Sequence, residues 1–215
     1  GKLLMMTCAD IIATEKLLET HLEANKKASD AVAVVGHLMY PPTWKLTPFM
    51  HYLQNSVRQF GYHNIQDPEH LEPNYLYAPN FSVARAVMLQ AGLFDEKLPY
   101  GWQDTDMAIR MVQQHVRLIY RKAALGYHDH PINLTAFVRR ELKTGASYGY
   151  FLSKHLHVVV DRQLLESRIH RVFHLIPEFN KLLNNAVRIE GQLTHETTIF
   201  EDQQKVLEKA YVLVL

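Results

Sequence analysis

The chain has 215 residues, of which 47% are hydrophobic and 21% charged, a composition typical of a globular protein and unlike that of disordered or collagen-like chains. Its 23 basic and 22 acidic residues leave a net charge of +1, which argues against a nucleic-acid-binding surface. A single cysteine, no visible signal peptide and no apolar run of ~20 residues together predict a cytoplasmic protein.

The N-terminal part of the chain predicts two strands and two helices. Residues 3–6 are a short apolar run of the kind that buried parallel strands show, and the β-branched content of residues 31–38 predicts a second buried strand. Between them, apolar residues at helical spacing predict a helix over residues 14–27, with Thr14 as its N-cap. A similar pattern over residues 47–60, opened by a Thr-Pro pair, predicts the second helix.

The middle of the chain predicts a loop and two further helices. Residues 61–76 are polar and aromatic and predict a long loop, which is either functional or a plain connector. Ser82 is expected to cap a helix over residues 83–91 that ends at Gly92, and another helix is expected over residues 104–115.

The C-terminal part predicts two short strands and then helices. The strands are expected over residues 116–121 and 125–128, and the chain from residue 133 onward has a helical pattern with breaks near Pro177 and Gly191. Strands that alternate with helices, followed by helices alone, predict an α/β fold with a C-terminal helical extension.

Asp104 is the first candidate for chemistry. It lies at the start of a predicted helix, where free backbone N–H groups and the helix dipole favour an ionised carboxylate. Such a carboxylate can accept a proton from a substrate hydroxyl. The alternative is that Asp104 only caps the helix.

Asp10 and two histidines are candidates for a metal site. Asp10 follows the strand predicted over residues 3–6, and ligands of open α/β sheets bind at the carboxyl ends of strands. Its carboxylate suits Mg²⁺ or Mn²⁺. His128 and His130, two residues apart at a strand end, project to the same side and can share a metal. The alternatives are a helix-leading aspartate and a surface histidine pair.

Three consecutive segments resemble a known enzyme family. They are NFSVAR at 80–85, AGLFDE at 91–96 and GWQDTDMAIR at 101–110, and together they strongly resemble the acceptor half of inverting GT-A glycosyltransferases of the family 2 type. The opening LLMMTCAD resembles the strand and Asp-x-Asp motif that precede this half. The resemblance covers residues 3–155.

The resemblance implies a fold and a site. Residues 1–155 would form a partial GT-A domain that lacks its N-terminal nucleotide-binding part, so we expect the chain to be a fragment, and residues 156–215 would form a helical extension. Asp104 would be the catalytic base, and Asp10 and His128 would hold Mn²⁺ or Mg²⁺. The residues implied in substrate binding are Asn80, Trp102, Asp106, Arg139 and Arg140.

The implied activity is transfer of a sugar from a nucleotide-diphosphate donor to a hydroxyl of a glycan, a lipid-linked acceptor or a small molecule. The helical extension is a candidate for homo-oligomer contacts or for peripheral association with the inner membrane face. Cys8 stands at the first Asp of the Asp-x-Asp motif, and Gln103 stands where the family has Glu. The alternatives are a catalytically degenerate sugar-binding or scaffolding module, and a zinc-binding module centred on His128 and His130.

Overall fold

The structure, a computed structural model, describes residues 1–56, 59–159 and 181–192 and has a mixed α/β fold. The chain divides into two units. The first contains Gly1–Trp44 and Leu53–Pro131, and the second contains Lys45–Tyr52 and Ile132–Leu215. The predicted α/β class is confirmed. The predicted boundary at residue 156 stays a prediction, because most of the chain after it lies outside the described residues.

The first unit contains a five-stranded mixed sheet with the order β1-β4-β3-β5-β2. Strands β3 and β5 are parallel, whereas β4 runs antiparallel to both β1 and β3. Strands β1, β3 and β5 therefore end at the same edge of the sheet, which we call the strand-end edge, and β4 and β2 begin there. The strands are β1 (Leu3–Thr7), β2 (Ile11–Ala13), β3 (Val32–Met39), β4 (Asn80–Ala84) and β5 (Arg117–His128).

Helices alternate with the strands along the chain, and α1 and α4 pack on opposite faces of the sheet. They are α1 (Leu17–Lys27), α2 (Pro48–Gln54), α3 (Arg85–Gln90), α4 (Gln103–Val112) and α5 (Leu134–Val159), and residues 181–192 are also helical. Two short 3₁₀ turns, Tyr62–Asn64 and Pro73–Tyr75, interrupt the predicted loop over residues 61–76. Among the described residues, no helix has both the length and the apolar composition that crossing a bilayer requires.

Both faces of β3 are buried, which explains its continuous apolar sequence. Val35 packs in a large apolar cluster with Phe81 and with Met107 of α4. Val34, which points to the opposite face, packs with Ala24 of α1. The prediction of a buried strand over residues 31–38 is confirmed, and this strand is parallel to β5 but antiparallel to β4.

The N-terminal strand differs from its prediction. Residues 3–6 were expected to form a buried parallel strand, but β1 pairs antiparallel with β4 at one edge of the described sheet, and its residues are only partly buried. The apolar run is sufficient to predict a strand. The direction of pairing depends on β4, which is more than seventy residues away along the chain.

Two predicted helix caps are wrong. Ser82 lies inside β4, and helix α3 begins only at Arg85. The reason is that Phe81 and Val83 are fully buried as strand residues. Thr14 does not cap α1 either, because its hydroxyl donates to the carbonyl of Leu125 at 2.7 Å.

Other predicted boundaries hold only in part. The helix expected over residues 47–60 begins as predicted, with the Thr47 hydroxyl accepting from the Met50 N–H, but it ends at Gln54. Helix α4 ends at Val112, earlier than expected. Gly92 follows α3 with φ +84°, as a helix-ending glycine should.

The two strands expected over residues 116–121 and 125–128 form one strand with a bulge. Gly36 of β3 pairs with Arg121, but His37 pairs with Leu125, so residues 122–124 are extra. Gly36 is tightly enclosed here, because a Cβ atom would collide with the Asn80 amide and the Ala124 carbonyl. The predicted break between two strands is therefore the position of the bulge.

A buried polar network fixes β4 to α1 and to the bulge. The Nε2 of His21 donates to Asn80 Oδ1 at 2.9 Å, and its Nδ1 accepts from the Ser82 hydroxyl at 2.8 Å. The Asn80 amide donates to the carbonyls of His37 and Ala124. Burial lowers the pKa of His21, so the ring is neutral and its two nitrogens serve one donor and one acceptor bond.

In the second unit, α5 confirms the helix expected from residue 133. The ring of Phe137 packs edge-on against Phe49 with centroids 5.4 Å apart. Glu190 accepts a hydrogen bond from the Leu134 N–H at 3.0 Å, and burial raises the pKa of Glu190. Gly191 itself is helical, and Pro177 and the residues after 192 lie outside the described residues.

Candidate functional site

The strand-end edge brings Asp10, His128 and His130 together. Asp10 lies in the turn between β1 and β2, and its carbonyl accepts a hydrogen bond from the Asp129 N–H at 2.7 Å. Strand β2 then pairs with β5 so that Ile11 lies opposite His128. Pairing of these two strands therefore holds the aspartate against the end of β5.

The three side chains have the spacing of metal ligands. Asp10 Oδ2 lies 3.6 Å from His128 Nε2 and 3.3 Å from His130 Nδ1, and the two imidazole rings stack 5.4 Å apart. All three ligand atoms lie within 4.8 Å of one another. Within the described part of the chain, Asp10 Oδ1 is buried and accepts no hydrogen bond. This donor set fits a divalent cation.

Cys8, also at the strand-end edge, lies within electrostatic reach of two carboxylates. Partial burial raises the pKa of its thiol, and the charges of Asp10 and Asp104 raise it further. The thiol is therefore protonated at neutral pH, which makes it a weak metal ligand. Because the charges of Asp10 and Asp104 both act on the pKa of this thiol, the two carboxylates lie in the same region of the first unit.

Asp104 is the second residue of α4 and does not cap it. Gly101 and Trp102, just before the helix, have left-handed backbones with φ of 73° and 66°, and no side chain caps the helix start. A tryptophan with positive φ is uncommon, and such backbone strain concentrates at functional sites. The alternative interpretation of Asp104 as a helix cap is therefore wrong.

The two oxygens of Asp104 have different surroundings. Oδ2 accepts a hydrogen bond from the Ala78 N–H at 2.9 Å. Oδ1 is buried and accepts no hydrogen bond from any residue that the structure describes. A buried acceptor without a donor is costly, so this oxygen is suited to receive a proton from a bound molecule.

Burial raises the pKa of Asp104 to about 6, although the Ala78 hydrogen bond lowers it. The sequence-based expectation was the opposite, that the helix dipole would favour the ionised form. Desolvation outweighs the dipole because one carboxylate oxygen is removed from water. A pKa near 6 still leaves the group ionised at pH 7 and more basic than an ordinary aspartate, which suits a general base.

An aromatic wall connects Asp104 with the histidines. The charge of Asp104 contributes to the raised pKa of Tyr77, behind the larger effects of burial and of Tyr75. The ring of Phe60 makes edge-to-face contacts with Tyr77, 5.3 Å between centroids, and with His128, 5.7 Å. The ring contacts therefore run from Tyr77, on which the charge of Asp104 acts, to the metal candidate His128.

Not every predicted residue is open to a ligand at this edge. Asn80 begins β4 there, but its side chain is 1% exposed and its amide holds the bulge, and Asp106 is fully buried and paired with Arg110. Trp102 is half-buried beside Asp104 in the chain. Arg139 and Arg140 lie in the second unit, where Arg140 stacks over Phe137, and their substrate roles stay predictions.

Arg110, which belongs to the last of the three family-like segments, stabilises the fold through hydrogen bonds within the first unit. Its guanidinium donates to Asp106 Oδ2 at 2.6 Å, to the Leu93 carbonyl at 2.6 Å and to the Ala91 carbonyl. It therefore ties α4 to the turn that follows α3. This turn includes the left-handed residues Gly92 and Leu93.

Sequence reasoning missed a cavity beside His128. His37, Gln59 and Tyr62 line it, in a volume of about 420 Å³. Two sequence features could have indicated it: His37, an imidazole within the otherwise apolar run of β3, and the long aromatic loop later in the chain.

No model of a known protein family matches this chain, and a search of curated proteins gives no match. The function is therefore inferred from the geometry of the strand-end edge and its surroundings.

Proposed function

We propose that this chain is the acceptor-side part of a metal-dependent inverting glycosyltransferase of GT-A fold. It would move a sugar from a nucleotide-diphosphate donor to a hydroxyl of a glycan, a lipid-linked acceptor or a small molecule. The observation that carries the proposal is Asp104 Oδ1, a buried carboxylate oxygen that accepts no hydrogen bond among the described residues. It lies in the neighbourhood of a candidate metal site at the ends of three parallel strands, where α/β sheets bind ligands.

Asp104 would act as the general base. Above pH 6 its carboxylate is ionised, and Oδ1 takes the proton of the acceptor hydroxyl as that oxygen bonds to the anomeric carbon. The bond from the anomeric carbon to the donor phosphate breaks on the opposite side, and the nucleoside diphosphate leaves with the electron pair. The Ala78 N–H holds the other carboxylate oxygen, so the base keeps its orientation.

Asp10 and His128 would hold Mn²⁺ or Mg²⁺, and His130 lies close enough to act as a third ligand. The cation, when bound, would neutralise the charge that develops on the departing diphosphate. Other contacts within this chain hold the ligand side chains in position. The Asp129 amide holds the Asp10 backbone, and ring stacking orients the two imidazoles.

The test is the Asp104→Asn variant in the full-length protein. Release of nucleoside diphosphate is measured with Mn²⁺ and a panel of UDP-glucose, UDP-N-acetylglucosamine and GDP-mannose, with and without glycoside acceptors. We expect turnover to fall about 10²–10⁴-fold, because the amide cannot take the proton.

Asp67→Asn is the matched control, because the Oδ1 of Asp67 also accepts a hydrogen bond from a backbone amide, that of Glu69, but its side chain is exposed. Turnover that is unchanged in Asp104→Asn would refute the catalytic assignment. Sugar binding without turnover in the wild-type protein would favour the degenerate sugar-binding module, for which Cys8 at the motif's first Asp position is the supporting observation.

A further inference from the structure

The imidazole of His128 is held by two ring contacts of different geometry. Its side chain is 14% exposed, and its Nε2 lies 3.6 Å from Asp10 Oδ2. The ring stacks on that of His130 with an angle of 11° between the two planes. The ring of Phe60 meets it edge-to-face, with centroids 5.7 Å apart and an angle of 65°. Phe60 therefore contacts a candidate metal ligand without being a ligand itself.

Phe60 is fixed in turn by two tyrosines. The centroid of its ring lies 5.9 Å from that of Tyr62 and 5.3 Å from that of Tyr77. The rings of Tyr62 and Tyr77 also contact each other edge-to-face, 5.5 Å between centroids. We call these three residues the aromatic triangle. Because its rings contact one another pairwise, a movement of Phe60 would displace both tyrosines.

Tyr62 connects the aromatic triangle to the sheet. Its ring stacks on that of Tyr120 in β5, 5.3 Å between centroids, and lies 4.6 Å from the ring of His37 in β3. The Tyr120 hydroxyl is hydrogen-bonded to His37 Nδ1 at 2.7 Å. Because β3 and β5 are paired strands, the triangle rests on the rigid centre of the sheet.

Metal affinity depends on how firmly the protein holds its ligands before the metal arrives. The backbone of Asp10 is fixed by the Asp129 N–H, and the backbone of His128 is fixed by pairing with Ile11. The imidazole can still rotate about its side-chain bonds, and stopping that rotation on binding costs conformational entropy. Packing that locks the rotamer of a ligand removes this cost in advance.

We infer that Phe60 is a positioning residue of the metal site, whose ring holds the His128 imidazole in the orientation from which Nε2 can bind a divalent cation together with Asp10. The aromatic triangle transmits the rigidity of the sheet to this ligand. The inference rests on the metal site of the proposed function, but it requires no sugar transfer.

The test measures the Co²⁺ affinity of the full-length protein from the visible absorption of the bound ion. Phe60→Leu removes the ring and keeps an apolar side chain, so we expect the affinity to fall about tenfold, as for other groups that orient metal ligands. Phe60→Tyr keeps the ring and should bind like the wild type. Phe94→Leu is the matched control, because Phe94 is also a partly buried phenylalanine of the first unit but packs against the large apolar cluster.

A double-mutant cycle distinguishes positioning of His128 from general loosening of the fold. In a His128→Ala background, the ligand that Phe60 orients is gone, so Phe60→Leu should cause no further loss of Co²⁺ affinity. Loosening of the fold would also displace Asp10 and His130 and would lower the remaining affinity again. Circular dichroism and urea unfolding verify that every variant is folded at the temperature of the titration.

Wild-type affinity in Phe60→Leu, an equal loss in Phe94→Leu, or an equal further loss in the His128→Ala background would overturn the inference. A wild-type protein that binds no Co²⁺ would refute both the metal site and this inference. Weaker Co²⁺ binding by Phe60→Leu, without sugar transfer by the wild-type protein, would refute the transferase and support the positioning role. Sugar transfer together with wild-type Co²⁺ affinity in Phe60→Leu would refute the positioning role alone.

Discussion

Two sets of polar side chains in the first unit differ in how completely their polar atoms are hydrogen-bonded. Beneath β4, both ring nitrogens of His21 and both polar atoms of the Asn80 amide have hydrogen-bond partners. At the strand-end edge, Asp10 and Asp104 each keep one buried oxygen that accepts no hydrogen bond among the described residues.

The difference separates stabilising polar groups from groups that are available for chemistry. A satisfied network contributes to stability and leaves nothing for a ligand to bind, so Asn80 is placed to hold the bulge. Unsatisfied buried oxygens destabilise the folded state and persist where a ligand, a proton or a metal completes them. Mutations in the two sets should therefore change stability in opposite directions.

The largest stability effect is expected at Asn80. Asn80→Ala would leave the His21 Nε2–H and the carbonyls of His37 and Ala124 without partners in the interior. We expect the free energy of unfolding in urea to fall by about 3 kcal/mol. Asn74→Ala, at an exposed asparagine of a 3₁₀ turn, should change it by less than about 0.5 kcal/mol.

A small loss of stability in Asn80→Ala, together with weaker sugar binding, would instead favour the substrate-binding role that the sequence predicted. Both quantities are measurable on the same sample.

The second effect has the opposite sign and depends on pH. Burial raises the pKa of Asp104 from its ordinary value near 4 to about 6, so the folded chain binds the proton more tightly than the unfolded chain. Stability therefore falls as pH rises from about 4 to about 6 and stays lower above. Asp104→Asn avoids this cost and can still accept from Ala78, so we expect it to be more stable at pH 7.5, by on the order of 2 kcal/mol.

At pH 4 the two proteins should unfold at nearly the same urea concentration. Asp67→Asn is the control of opposite sign, because hydrogen bonds from the Glu69 amide and the His70 ring lower the pKa of Asp67. Its removal should decrease stability slightly above pH 4. Equal stability of Asp104→Asn and wild type at pH 7.5 would mean that the Asp104 carboxylate is not desolvated in the folded protein.

The third effect concerns metal affinity. His130→Ala should weaken Co²⁺ binding at least about tenfold, because even groups that only orient metal ligands contribute about 10–100-fold to metal affinity. The visible absorption of bound Co²⁺ measures this affinity. Zinc calorimetry gives an independent measurement. His130 is half-exposed, so the variant should fold normally.

His70→Ala serves as the control, because His70 is also paired with an aspartate, Asp67, at 2.9 Å on the surface. Equal weakening by both variants would indicate nonspecific surface binding. Absence of any metal uptake by the wild-type protein would remove the metal site.

Local sequence patterns predicted β3, α1 and α4, because these elements have strong periodicity or continuous burial. Sequence also singled out Asp10, Asp104 and His128, which the sheet brings to one neighbourhood. It failed where the outcome depends on distant residues. The antiparallel pairing of β1 is set by β4, and Ser82 is a strand residue because its neighbours Phe81 and Val83 are buried against distant parts of the chain.

The properties of Asp104 show the same limit. Its position at a helix start is readable from sequence, but the direction of its pKa shift depends on burial by residues from other parts of the chain. The cavity beside His128 was missed for the same reason, since its lining comes from β3, the segment after α2 and the end of β5.

The bulge at Gly36 has a consequence for how the chain tolerates mutation. The backbone there admits no side chain, because a Cβ atom would meet the Asn80 amide and the Ala124 carbonyl. The next residue, His37, lines the cavity, and its ring is bonded to the Tyr120 hydroxyl. A substitution at residue 36 should therefore disrupt the strand, whereas one at residue 37 should reshape the cavity and remove the bond to Tyr120.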